Sequence, residues 1–171
     1  MTSATTAPEA SVWTAEHVRA IALPSPAALI PAVDKADRSG LDPARLYWDM
    51  WPVQDASGAR AVIAGRQLWM ALTAPDRGDP GLRHFEAKIH WLERLGGQWI
   101  DRGPVLPDMP VSYEREWAGS ALYDAGVVTL FFTAAGTSMR AGGYQQELWA
   151  AHASVGDDGW PQGWSAPAPL V

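Results

Sequence analysis

The segment Tyr47-Trp48-Asp49-Met50-Trp51-Pro52 sets one carboxylate between two indoles. Apolar neighbours desolvate a carboxylate, which raises its pKa and its reactivity. Indole faces are platforms for sugar rings and other flat ligands. Together these residue types suit a saccharide site. The same residues also admit a structural reading, with Asp49 in a turn or helix cap and the tryptophans in a core. A second segment, Tyr113-Glu114-Arg115-Glu116-Trp117-Ala118-Gly119-Ser120-Ala121, brings two acids, one arginine and a tryptophan to the start of a strand. The small residues Ala118, Gly119 and Ser120 would let a ligand approach the backbone. The alternative is a solvated charge cluster at a strand entry.

Other chemistries find no footing. Gly142-Gly143 lacks the rest of a phosphate-binding loop. His17, His84, His90 and His152 have no zinc-protease spacing, and His84 and His90, if on one strand face, stand roughly 20 Å apart. No Gly-x-Ser-x-Gly elbow occurs. Asp76-Arg77-Gly78-Asp79-Pro80 is turn-like but lacks calcium-loop spacing. The absence of cysteine removes disulfide scaffolds, Cys-zinc sites and thiol catalysis. Neither a metal nor a cofactor is expected. A net charge of −6 argues against a nucleic-acid partner. No apolar run approaches a membrane span of about 18 residues, and the first residues lack the basic and apolar regions of a classical signal peptide.

These candidates need elements to hold them. Residues 1–12 read as a flexible tail. Residues 13–45 read as a short helix from Trp13 to about Ala22 followed by a Pro/Ala/Asp-rich wrapping segment. From residue 46 to 171 the pattern is all-β, with closely spaced turn signals and no helical layer. Ala61–Ala64 and Leu68–Thr73 read as a tight hairpin around Gly65-Arg66. Residues 83–92 alternate, with Phe85, Ala87, Ile89 and Trp91 on one face, which favours a half-buried strand over the rival helix through Phe85, Ile89 and Leu92. Ser120–Tyr123 and Val127–Thr133 flank the turn Asp124-Ala125-Gly126 as a hairpin, Gln145 to about Val155 forms another strand, and Leu170-Val171 begins a further one. Ten tryptophans in 171 residues is a heavy aromatic load to place.

Seven stretches, LYWDMWPVQDASG (46–58), GRQLWMALTAPD (65–76), RHFEAKIHWLERLGGQW (83–99), GPVLPD (103–108), YEREWAGSAL (113–122), VTLFFTAAG (128–136) and GGYQQELWAAHA (142–153), together resemble the levansucrase–inulosucrase family of glycoside hydrolases, bacterial fructosyltransferases that use sucrose. WDMWP and EWAGSA are specific as a pair. The resemblance implies a five-bladed β-propeller with a funnel-shaped pocket. About two blades would lie in this chain, preceded by a short helical segment, so the chain is expected to be the N-terminal portion of the catalytic domain.

It also implies a retaining mechanism on carboxylates. Asp49 would be the nucleophile on the fructosyl unit, and Trp48, Trp117 and Ala118 would line its pocket. Position 118 is commonly a serine that contacts the nucleophile. Alanine there removes a charged hydrogen bond worth about 1.5–3 kcal/mol. The family's Arg-Asp-Pro and Asp-Glu-x-x-Arg motifs are absent, so the isolated chain is expected to be inactive. Sucrose and fructan are the implied partners, with self-association or docking of a missing C-terminal half through open strand edges. The family habit implies an extracellular location, while the missing signal peptide leaves the cytoplasm open. The alternatives are a non-catalytic fructoside-binding β module and a degenerate fragment.

Overall fold

The computed structural model describes residues 12–22, 41–108, 111–137 and 145–170. They fall into two units, residues 1–37 and 38–171. The described part of the first holds one short helix, α1 (Ala15–Arg19). Thr14 caps it reciprocally: the His17 N–H donates to Thr14 Oγ1 and the Thr14 N–H to His17 Nδ1. This helix lies within the Trp13–Ala22 span read from the sequence. The tail, apart from Val12, and residues 23–40 of the wrapping segment lie outside the described residues.

The second unit is built from two antiparallel meanders. The first comprises β1 (Arg45–Gln54), β2 (Leu68–Pro75), β3 (Lys88–Leu95) and β4 (Gln98–Pro104). The second comprises β5 (Tyr113–Asp124), β6 (Val127–Thr137) and β7 (Gln146–Val155), with β8 (Pro161–Gln162) and β9 (Ala168–Pro169) both pairing to β7. The meanders meet through their first strands, which run parallel at Val53 with Ala121 and Gln54 with Leu122. The strand order is β4-β3-β2-β1-β5-β6-β7-β8.

Local sequence explains much of this. In β6, Val128, Leu130, Phe132 and Ala134 are buried at every second position, the period of a strand with one inward face. The β5–β6 turn uses Ala125 (φ 46°) and Gly126 (φ 82°), both left-handed, as a two-residue hairpin turn of matching twist requires. In β2, Leu68 and Met70 to Ala74 are all buried, because both edges are paired and both faces covered. A shared core joins the meanders: Val53, Met70, Leu72 and Ile89 pack in one cluster with Leu130, Phe132 and Trp149.

Three local expectations are corrected. Residues 80–85 form a 3₁₀ helix, and the strand predicted over 83–92 begins only at Lys88. Pro80 opens the helix with its fixed φ, and Asp79 Oδ1 accepts the Gly81 N–H at 2.8 Å. The alternation holds from Ala87 through Trp91, but Phe85 is 47% exposed rather than inward. Residues 61–64 do not pair with β2: they close a tight Ile63–Arg66 bridge, while β2 takes the longer ladders of β1 and β3. At the end, the strand expected to begin at Leu170-Val171 comes earlier: Ala168–Pro169 pairs with Trp149 and Ala150 of β7, and the Leu170 N–H donates to Leu148 O, while Val171 lies outside the described residues. No helix among the described residues is long and apolar enough to cross a membrane.

Candidate active site

Two β-bulges open toward one cavity. On β1, Trp48 pairs with Leu72 and Trp51 with Met70, so Asp49 and Met50 together face Ala71. Asp49 takes φ 47°, the left-handed conformation usually reserved for glycine at the first position of such a bulge. Ala64 and Ala125 share this sign of φ, but each sits in a tight two-residue turn. Asp49 takes it within a strand. On β5, Trp117 pairs with Thr133 and Gly119 with Phe132, leaving Ala118 as the extra residue. A bulge re-aims side chains. Here the two bulges bring Trp48, Asp49, Trp117 and Ala118, all four site candidates from the sequence, around one cavity of about 410 Å³.

Gly119 has a different task from the one its size suggested. A Cβ there would stand 1.8 Å from Phe131 O. The missing side chain therefore admits the backbone of β6 rather than a ligand.

The 3₁₀ helix supplies residues that sequence reading missed. The His84 ring meets Trp48 and Trp117 edge-on, at 6.1 and 6.3 Å between centroids. The Trp117 indole N–H donates to His84 O at 3.1 Å. The Arg83 guanidinium lies 5.1 Å from the centre of the Trp48 ring, a cation–π contact. His84, Thr133 and Gln146 complete the polar lining. The signal in the sequence was Asp79-Pro80, an N-cap followed by proline at the first helical position, which competes with the alternation after it.

Asp49 is exposed, so the desolvation expected from its sequence neighbours is not present. Trp48 and Trp51 both pack against the core, and Trp48 also borders the cavity. Glu116 is not among the residues lining this cavity. It is 3% exposed and accepts from the Ile89 N–H at 2.9 Å and from Lys88 Nζ at 3.0 Å, fastening β5 to β3.

Behind β1 a polar network holds the bulged strand. The Tyr47 hydroxyl donates to Asp101 Oδ2 at 2.7 Å, His90 Nδ1 lies 2.9 Å from Oδ1, and the Gly103 N–H donates to Oδ1 at 2.7 Å. Burial alone would raise the Asp101 pKa, yet the hydrogen bonds from His90, Tyr47 and Gly103, with the charge of His90, hold it down to about 2. Burial, then the Asp101 hydrogen bond and charge, push the Tyr47 hydroxyl well above its ordinary value. The network ties the strand carrying Asp49 to β4.

The arrangement can present a nucleophilic carboxylate beside two indoles and an imidazole. Asp49 is the only carboxylate among the described lining residues. No group of three or more metal-ligating side chains occurs among the described residues.

Known proteins resemble this chain in sequence and fold. A model of the levansucrase/invertase family matches residues 1–158. A levansucrase of Fructilactobacillus sanfranciscensis is 32% identical over 97 residues, 53% of this chain and 11% of that protein. An inulosucrase from Halalkalicoccus jeotgali, solved bound to kestose, matches with a TM-score of 0.65 and 31% identity over 81% of this chain and 38% of its own. Bacillus subtilis levansucrase shares the fold with a TM-score of 0.64 and 22% identity, over 83% of this chain and 35% of its own. The chain thus spans well under half the length of the relatives it matches. The all-β architecture and the family match over most of the sequence agree: this chain belongs to the levansucrase/invertase family.

Proposed function

We propose that this chain supplies the nucleophile and one wall of the donor site of a retaining fructosyltransferase acting on sucrose. The observation that carries the reading is the left-handed bulge that projects Asp49 into a cavity walled by Trp48 and Trp117. A strained backbone at a lone carboxylate suits a functional residue better than a turn. The two meanders, with first strands parallel, suit two consecutive blades of a five-bladed propeller.

In this reading an Asp49 oxygen bonds to the anomeric carbon of the fructosyl unit. The bond from that carbon to the glucosyl oxygen breaks, and glucose leaves with a proton from a general acid. Water or a fructan hydroxyl then displaces Asp49 and releases the fructosyl unit. Retaining enzymes hold their second carboxyl group about 5–5.5 Å from the nucleophile. The described lining residues include no such partner. The 171-residue chain therefore binds the fructosyl unit but does not release glucose from sucrose by itself. Sucrose and fructans are the ligands it takes, and following the family's habit it is located outside the cell.

A fructosyl fluoride separates nucleophile from acid, because fluoride departs without protonation. Intact-mass measurement is expected to show one added fructosyl unit on the native chain and none on Asp49→Asn. The isolated acid-less cavity also favours a second reading, a non-catalytic fructoside-binding module. Sucrose binding lost in Trp48→Ala but kept in Asp49→Asn, with no mass increment from the fluoride, would establish that reading and overturn the first.

A further inference from the structure

Three of the ten tryptophans gather away from Asp49. Trp91 on β3 meets Trp160 edge-on at 6.0 Å and Trp164 in a tilted contact at 6.3 Å. Trp160 and Trp164 flank the short strand β8. With Arg66, Arg102 and Gln162 they line a cavity of about 740 Å³ that shares no lining residue with the Asp49 cavity.

The two arginines are held in place from below. Glu93, 1% exposed, accepts from Arg66 Nη1 and from both Nε and Nη2 of Arg102. Arg66 Nε also donates to Asp158 O at 3.1 Å, and its guanidinium lies 5.6 Å from the centre of the Trp160 ring. A guanidinium has five N–H donors. Each arginine has two of them engaged in these bonds, which leaves three on each without a protein partner among the described residues. The loop before β8 is closely packed as well. Gly159 packs so closely on the Ile63–Arg66 turn that a Cβ would stand 2.8 Å from Ala64 Cβ, and Asp158 Oδ1 accepts the Trp160 N–H.

Such a site rejects some occupants on physical grounds. An apolar protein segment laid over it would strand the free guanidinium donors. A small inorganic anion would use the donors but leave the indole faces idle. A neutral oligosaccharide uses both, since its C–H faces stack on indoles and its vicinal hydroxyls accept paired N–H donors from a planar fork. We propose that the Trp160–Trp164 groove is a second saccharide-binding site, separate from the Asp49 cavity and taking a neutral oligosaccharide. It does not depend on the donor-site reading.

The test is a titration of the complete chain with kestose, following the indole N–H resonances by NMR after assignment with Trp→Phe variants. The Trp160 and Trp164 signals move. Trp164→Ala weakens that response by about fivefold or more, the scale of one lost aromatic contact. Gln162→Ala, on an exposed side chain with no core role, weakens it without threatening the fold. Neither variant alters the response of Trp48 and Trp117. Silent Trp160 and Trp164 signals overturn the proposal, whereas silent Trp48 and Trp117 signals count against the donor site alone. A response to inorganic phosphate equal to that for kestose also overturns it, because it would assign the groove to anions.

Discussion

Replacing Asp101 with asparagine should weaken the fold in a way that disappears in acid. The carboxylate accepts from Tyr47, His90 and the Gly103 N–H. These bonds outweigh burial and lower its pKa from 3.8 to about 2. A displacement of that size corresponds to about 2 kcal/mol at most. Solvent at the edge of the network reduces this, and about 1–2 kcal/mol is the working figure.

The direction follows from linkage. The folded carboxylate binds its proton more weakly than the unfolded one, so acid favours unfolding. The contribution is complete above about pH 4 and is lost as the pH falls through about 2. Urea unfolding of the native chain and Asp101→Asn, from neutral pH down to about 2, measures it. At neutral pH the variant midpoint should fall by about 0.5–1.5 M urea, given a slope of about 1–3 kcal/mol per molar for small proteins. The two curves should converge at the acid end. Other carboxylates titrate in both proteins and largely cancel in the difference. A stability difference that stays constant across the whole range would refute the assignment, since it would show that the network uses the shape of Asp101 and not its charge.

Further outcomes follow from the two bulges. Gly119→Ala puts a Cβ 1.8 Å from Phe131 O, so β5 and β6 must part, with an expected loss of about 2–4 kcal/mol; an unchanged melting midpoint would contradict the close approach. Asp49→Asn should change stability by less than about 0.5 kcal/mol, because asparagine tolerates left-handed backbone, whereas Asp49→Val should cost about 1–2 kcal/mol. Equal denaturation midpoints for the two variants would mean that the bulge does not hold φ positive in solution. Ala118→Ser adds a hydroxyl at the bulge that shares the cavity with Asp49 and should tighten sucrose binding about threefold or more, which calorimetry would detect; weaker binding would place residue 118 outside the sugar contact. Glucose release from sucrose by the purified chain, abolished in Asp49→Asn, would show that an acid is present after all.

Much of the architecture was legible because its causes are local. The Asp124–Gly126 turn announces itself through residues that accept left-handed backbone, and the alternation of Val128, Leu130 and Phe132 needs only the two-residue period of a strand. The candidacy of Trp48, Asp49, Trp117 and Ala118 was legible too, through the WDMWP and EWAGSA strings. Their convergence on one cavity was not. It depends on bulges, which arise from the register between strands distant in sequence, and a single extra residue leaves no mark in composition or period. The same holds for His84. Alternation alone assigned it to a strand, but the proline-capped 3₁₀ turn before β3 sets it between two tryptophans from different meanders.

Gly119 and Glu116 show the limit most plainly. Both sat in the segment that pointed to chemistry, and both serve the packing of neighbouring strands instead. The tryptophan load likewise acquired a meaning only in three dimensions, where Trp91, Trp160 and Trp164 meet across about seventy residues of chain. Sequence by itself determined the class of the fold and the residues able to do chemistry, because side-chain type and short-range period are properties of the chain. Tertiary structure alone decided which of them face the same space, because that depends on register, bulges and cross-strand contacts between segments that sequence leaves far apart.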